Sequence, residues 1–206
     1  MQLSKNNNIN FGALHIATCG NIKLYKAVTP ADYNFIKQLP DKIDTKTLMP
    51  QLSKDAHARW NEMIQYASDN ALNKENTTYL EFFNNKPCGI ITFKSGKIFA
   101  LDCICTWPVE IGKKVQQAGQ ILFYQLFCDF KKIKGKKIKL EAITNGPYNT
   151  VQKYEKLGFK QLETLPTKIK MEITSPKVDN TLSKLSKELP YEQQNNAKVV
   201  LSTNLE

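Results

Sequence analysis

Two places in the chain carry residue types at spacings that could do chemistry. The first is a helix start near Gly119, which follows directly on an apolar run and is preceded by Lys113 and Lys114. Backbone N–H groups without helical partners, the positive end of the macrodipole and two ammonium groups converge there, so the site suits an anion. Gly119 lets a ligand approach the backbone because no Cβ intervenes. Strand-to-glycine-to-helix turns occur in many folds, and the pattern alone has little specificity. The second place is Val151-Gln152-Lys153-Tyr154-Glu155-Lys156-Leu157-Gly158-Phe159, where a tyrosine sits on the last turn of a helix that ends at glycine. Read without further context, that phenol packs its ring and bonds its hydroxyl to a carbonyl. Cys19, Cys88, Cys103, Cys105 and Cys128 are odd in number and include no C-x-x-C pair. A disulfide framework or a tetrahedral zinc site is therefore not expected. Cys103 and Cys105 alternate within an apolar run and read as small buried hydrophobes. His15 and His57 lie far apart without a ligand set, and no metal is expected.

The chain that must position these groups has 206 residues, of which 41% are hydrophobic, 10% aromatic and 23% charged. That balance predicts a globular domain with a sizeable core and excludes a wholly disordered chain. No run approaches the ~18 apolar residues of a membrane helix, so no membrane insertion is expected. Residues 11–19 are interrupted by His15 and too short for a signal core. A cytoplasmic, reducing location is expected. Lys+Arg is 29 against Asp+Glu 19, a net charge of +10. Nucleic acid remains a weak reading, because Arg59 is the only arginine and base readout leans on the guanidinium fork. Lys131, Lys132, Lys134, Lys136, Lys137 and Lys139 read as a solvated face.

Hydrophobic periodicity orders the elements. Residues 1–20, with their Asn cluster, are expected to form a loose leader. Residues 22–28 alternate as a strand, and Thr29 and Pro30 open a helix that Pro40 is expected to stop near Leu39. A second helical stretch spans 45–73, with Ala56, Trp60, Met63, Ile64 and Ala67 on one stripe. Residues 78–83 and 88–93 read as a hairpin, 98–106 as a long apolar strand ended by Trp107-Pro108, and 115–132 as an amphipathic helix. Residues 136–144 form a strand, Pro147 opens a helix over 148–157 that Gly158 caps, and 168–173 is a last strand. The order predicts an α/β (α+β) fold: a mixed, mostly antiparallel central sheet flanked by helices. The domain is expected over 21–175. Residues 176–206 read as a polar tail with one short amphipathic helix (Val178, Leu182, Leu185, Leu189), and truncation at Pro176 is expected to leave a folded domain.

Tyr154 to Phe159 reads Tyr-Glu-Lys-Leu-Gly-Phe. With the element order over 22–173, roughly three quarters of the chain, this stretch resembles the GCN5-related N-acetyltransferase (GNAT) superfamily. The resemblance implies an acyl-coenzyme A site between two splayed strands, 98–106 and 136–144, with acetyl-CoA as co-substrate. Pantetheine is then expected against Ile104, Cys105 and Thr106, and the pyrophosphate against Lys114 to Gln120, with Lys114, Gln117, Ala118, Gly119 and Gln120 as binding residues. The family pattern there is Arg or Gln, two residues, Gly, one residue, then Gly or Ala. Lys114 stands first and Gly119 last, while Gln117 holds the first-glycine place. Pro147 replaces an asparagine common in the family, with Asn145 and Asn149 as substitutes nearby. Tyr154 is implied as the general acid that protonates the departing thiolate. A base for the protonated amine is sought in Glu141, in Glu81 or in a water chain. No cysteine is placed as a covalent relay. The resemblance thus implies acetyl transfer to an amine, in a small molecule or a protein, by direct attack in a ternary complex. The alternative is a non-catalytic CoA-binding or protein-interaction module. Homodimerisation is left open.

Overall fold

The computed structural model describes residues 9–11, 13–144, 150–194 and 201–203. Along the chain these form β1 (Ile9–Phe11), β2 (Leu14–Cys19), β3 (Ile22–Lys26), α1 (Pro30–Lys42), α2 (Thr45–Leu48), α3 (Lys54–Ala71), β4 (Asn76–Phe83), β5 (Lys86–Lys94) and β6 (Ile98–Thr106). There follow α4 (Ala118–Lys132), β7 (Lys137–Ile143), α5 (Val151–Lys156), β8 (Lys160–Thr164), β9 (Lys168–Thr174), α6 (Ser175–Glu188), β10 (Tyr191–Gln193) and β11 (Leu201–Thr203). One sheet runs β10-β2-β3-β4-β5-β6-β7-β9-β8, and β1 pairs with β11 separately. Among the described residues of this sheet, β6 and β7 pair in parallel and the other neighbours are antiparallel, as the element order predicts. Asn84 and Asn85 both have positive φ, 49° and 64°, and make the two-residue turn between β4 and β5.

Each face of the sheet buries its own core. Phe93, Phe99, Phe127 and Phe130 lead the one beneath α4 and α6. Tyr25, Phe35, Phe82 and Trp60 lead the one beneath α1 and α3. At the head of α1, Thr29 Oγ1 accepts from the Asp32 N–H while the Asp32 carboxylate accepts from the N–H groups of Val28 and Thr29. This capping box fixes where the helix begins. Its end differs from expectation, for α1 runs through Pro40 to Lys42. Pro40 has no N–H for the Ile36 carbonyl, which a proline in a helix normally leaves orphaned. The Ser68 hydroxyl of α3 donates to that carbonyl instead, at 2.8 Å. The helical stretch over 45–73 is split at Met49-Pro50, and Ser53 caps the new start by accepting from the Ala56 N–H.

Residues 14–19 and 175–193 are more ordered than their composition implies. The expected loose leader over 1–20 contains β2, held between β10 and β3 with Ile16, Ala17 and Cys19 buried. A bulge between His15 and Ala17 accommodates the histidine, whose ring stacks on Tyr25 at 4.9 Å. The expected tail over 176–206 is also corrected. Val178, Leu185 and Leu189 join the core under α6, and β10 extends the sheet edge at β2. A polar network holds β10 in place. The Tyr191 hydroxyl donates to Gln125 Oε1, Gln125 Nε2 donates to Asp129 Oδ1 at 3.0 Å, and the Tyr79 hydroxyl donates to Asp129 Oδ2 at 2.6 Å.

Two outcomes are expected in unfolding experiments. Ser68→Ala leaves the buried Ile36 carbonyl unpaired and should lower stability by about 1–3 kcal/mol in urea denaturation; an unchanged midpoint would remove Ser68 from the account of how α1 passes Pro40. A chain ending at Ser175 loses three buried aliphatic side chains, each contributing about 1.5–3 kcal/mol. It should melt without a cooperative transition, and a melt like that of the full chain would restore the boundary at 175.

Candidate functional site

The site begins with a backbone irregularity. Across β5 and β6, Thr92 pairs with Cys103 but Phe93 pairs with Leu101, so Asp102 is an extra residue on β6. A bulge of this kind bends its strand. On the other side, β6 pairs with β7 only from Ile98↔Lys137 to Leu101↔Leu140, although the two strands continue to Thr106 and Ile143. Beyond the bulge the strands diverge, and the backbone of residues 102–106 has no partner strand on that side. The gap opens into a cleft of about 1190 Å³ walled by β6, the start of α4, α5, α3 and α6.

At one end of the cleft, α4 begins without a side-chain cap. Its N-cap, Gln117, has φ 63°, a left-handed conformation that favours glycine and costs other residues about 1–2 kcal/mol. This is the physical reason a glycine suits the place. The Gln117 carbonyl accepts from Gln120 and Ile121, while the N–H groups of Ala118 and Gly119 lie in the first turn, where helices have no internal acceptors. A Cβ added at Gly119 would meet nothing within 4 Å, so no packing inside the protein requires glycine there. Lys114, Lys153, Lys156 and Lys184 line the cleft. Lys113, expected beside Lys114, instead pairs with Glu110 at 2.8 Å and is not a lining residue.

Tyr154 stands in the same cleft with its ring against Phe123 and Phe159, at 5.8 and 6.1 Å between centroids. Burial pushes its phenol up to about 12, a Thr150 side-chain hydrogen bond opposes this, and the sulfurs of Cys103 and Cys105 push further upward. The hydroxyl therefore lies within electrostatic reach of β6 and stays protonated at any ordinary pH. Gly158, with φ 92°, makes the turn after α5; a Cβ there would crowd Ile173 and Thr181, each at 3.3 Å. Burial raises the Cys103 thiol to about 12 and Cys105 well above its usual range, so neither is a thiolate nucleophile.

The carboxylates are distributed differently from expectation. Glu141 lines the cleft, half-exposed and paired with Lys168. Glu81, the other acid singled out from sequence, is 0% exposed and absent from the cleft lining. Neither of its oxygens has a hydrogen-bond partner, and burial pushes its carboxyl well above the usual value. It is a neutral core group packed against Gly89, where a Cβ would come within 2.7 Å of Oε2. Asp102, which sequence reasoning passed over, lines the cleft beside Cys103. Burial raises its carboxyl, while Lys94 and a hydrogen bond with Asn76 oppose the shift. The available signal was a lone acid in the apolar run 98–106.

Ile104, Cys105, Thr106, Lys114, Gln117, Ala118, Gly119, Gln120, Tyr154 and Glu141 all border this one cleft. Its other end is bordered by α3, through Trp60, Met63 and Tyr66 with Asp55, Arg59 and Glu62. Asn145, Pro147 and Asn149 lie outside the described residues. Among the described residues no group of three or more His, Cys, Asp or Glu side chains is placed to hold a metal, and no helix is long and apolar enough to cross a membrane.

No protein-family profile and no curated protein matches the chain. Solved structures do. PaiA N-acetyltransferase of Thermoplasma acidophilum in complex with coenzyme A is 17% identical, with 74% of this chain and 98% of that one covered at a TM-score of 0.50. FdhC, a nucleotide-linked sugar GNAT in its apo form, is 13% identical over 87% and 97%, with a TM-score of 0.52. A chimera of the spermidine N-acetyltransferase SpeG from Vibrio cholerae and hSSAT is 19% identical over 78% and 99%, with a TM-score of 0.50. The sheet order, the parting of β6 from β7 and these likenesses converge on one architecture: the chain has the GNAT acyltransferase fold.

Proposed function

We propose that this protein is an N-acetyltransferase that moves an acetyl group from acetyl-CoA to an amine by direct attack in a ternary complex. The observation that carries the reading is the convergence of an unpaired β6 edge, an uncapped α4 start and the Tyr154 phenol on one cleft. An extended pantetheine arm fits the edge at Ile104, Cys105 and Thr106, where its amides would pair as an added strand does. Phosphates fit the N–H groups of Ala118 and Gly119, with Lys114 and the lysines of α5 and α6 supplying charge. The coenzyme A held by PaiA N-acetyltransferase supports this ligand class. Bound acetyl-CoA supplies the activated acetyl group. Tyr154, protonated throughout the working range, gives a proton to the departing thiolate. Asp102 takes a proton from the incoming ammonium; Glu141, tied to Lys168, is the second candidate for that role. The apolar and acidic residues of α3 suit a cationic amine, whether of a small molecule or a protein.

A second reading, binding without turnover, is favoured by Gln117 in a left-handed position that glycine fits best. Two measurements separate the readings. Coenzyme A at a hundred times its Kd should stabilise the fold by about 2.7 kcal/mol. Gly119→Glu should abolish that shift, because it drives a negative side chain into open space beside the phosphates, whereas Lys114→Ala should only weaken it. No shift with the wild type would end both readings. Free thiol should then appear with at least one of spermidine, a nucleotide-linked amino sugar and a lysine peptide; a thermal shift without thiol across the panel would favour the binder.

The pH dependence has a definite sign. Asp102 acts when ionised and its carboxyl lies above 3.8, so kcat/KM should fall as pH drops through that raised value. Tyr154 acts when protonated, so it should cause no alkaline fall below about 12. Tyr154→Phe should lower kcat by about 10²–10⁴-fold with coenzyme A binding unchanged, and an undiminished rate would remove Tyr154 from the mechanism.

A further inference from the structure

The wall that α3 gives to the cleft carries the one guanidinium of the chain. Arg59 is the only arginine among 29 cationic side chains. It borders the cleft with Asp55, Glu62, Met63 and Tyr66, at helical spacings that put all five on one face of α3. Asp55 lies four residues before it and Glu62 three after, the positions from which acids and cations pair along a helix. Neither does so: among the described residues Arg59 has no ion pair and no hydrogen bond. Asp55 has an account of its own, since it stands in the first turn of α3, where the helix dipole favours an acid. Arg59 has none. It is exposed at the cleft, and the helix end nearer to it is the one that disfavours a cation.

The helix also sets how far this group stands from the proposed chemistry. Asp102 accepts a hydrogen bond from the Asn76 side-chain amide, which also donates to the Asn70 carbonyl at 2.9 Å. The bulge in β6 therefore lies by the C-terminal end of α3. Tyr66 is near that end, and Arg59 stands seven residues back, about 10 Å along the axis. Between the two ends, Met63 and the 55% exposed ring of Tyr66 offer the cleft an apolar surface.

We propose that Arg59 anchors an anionic group of the acceptor, a carboxylate or a phosphate carried several bonds away from the amine that is acetylated. The fate of the amine rests on the acetyl-transfer reading; the anion site does not. A planar fork of donors matches two oxygens of either anion at once, which the point charge of an ammonium does not. With the anion on Arg59, the linking part of the acceptor lies along Met63 and Tyr66, and its amine arrives beside Asp102. A diamine of the same length would set its second ammonium against the guanidinium, and like charges brought together are disfavoured. The acceptor class selected is therefore an amine that is also an acid, rather than a polyamine.

Three probes of one length test this: ω-aminooctanoate, aminooctyl phosphate and octanediamine. Each is titrated calorimetrically into the full chain with and without coenzyme A, where no acetyl group can move. At least one anionic probe should bind about tenfold more tightly than the diamine, the lower end of what a hydrogen bond to a charged group contributes. The tighter of the two tells carboxylate from phosphate. Arg59→Ala should remove the preference, Arg59→Glu should reverse it towards the diamine, and Arg59→Lys should keep only part of it. Glycine, whose carboxylate adjoins its amine, should bind no better to the wild type than to Arg59→Ala. A diamine that binds as well as both anionic probes, or a preference that survives Arg59→Ala, overturns the anchor; an equal dependence of glycine on Arg59 overturns the spacing. In thiol-release assays with the preferred anionic acceptor, Arg59→Ala should raise its KM about tenfold with kcat unchanged. The titrations need no turnover, so an Arg59-dependent preference without thiol release upholds the anion site and counts against acetyl transfer alone.

Discussion

One extra residue in β6 governs the architecture of the cleft. A parallel pair of strands normally continues until one of them ends, because each added residue satisfies backbone groups on both sides. Asp102 interrupts that logic: its bulge against β5 bends β6, and the pairing with β7 stops at Leu101↔Leu140. Everything placed around the cleft follows from this parting. The open backbone of residues 102–106, the entry of α4 at its mouth and the approach of Tyr154 from α5 all require that β6 and β7 diverge where they do. The bulged residue is itself an acid facing the cleft, so the distortion that makes the space also puts a titratable group in it.

The cleft is held open from both faces. On one, α4 rests on a layer of phenylalanines and is tied through Gln125 and Asp129 to Tyr79 in β4 and Tyr191 in β10. On the other, α3 carries the Ser68 hydroxyl that satisfies the carbonyl Pro40 leaves behind in α1, so the two helices are coupled by a directional bond as well as by packing. The chain ends reinforce this frame. Residues 14–19 and 191–193 add strands to one edge of the sheet, and α6 packs across α4, where the Gln117 side chain donates to the Glu188 carbonyl at 3.4 Å. The left-handed turn at Gln117 is thus braced by a segment that follows the last central strand.

Local sequence determined a good deal of this molecule. Alternation in 22–26, the hairpin pattern of 78–83 and 88–93, the apolar run of 98–106, the Thr29-Pro30 start of α1, the stripe of α4 and the glycine after Tyr154 each encode an element through interactions within a few residues. The element order and the Tyr-Glu-Lys-Leu-Gly-Phe stretch were enough to expect the fold, the splayed strands and the residues that border the cleft. Only tertiary structure decided the rest. Whether Pro40 ends a helix depends on a hydroxyl that lies thirty-two residues from the Ile36 carbonyl in sequence. Whether Leu14–Cys19 and Tyr191–Gln193 are strands depends on finding a partner strand in the sheet, which such short segments cannot signal by their own periodicity. Glu81 and Asp102 have the same chemistry in sequence and opposite fates in space. Glu81 is sealed in the core and neutral, and Asp102 stands at the cleft, because a bulge on β6 and its partner strands set the surroundings of each. Burial and proximity are properties of the assembled sheet, and no local pattern of residues contains them.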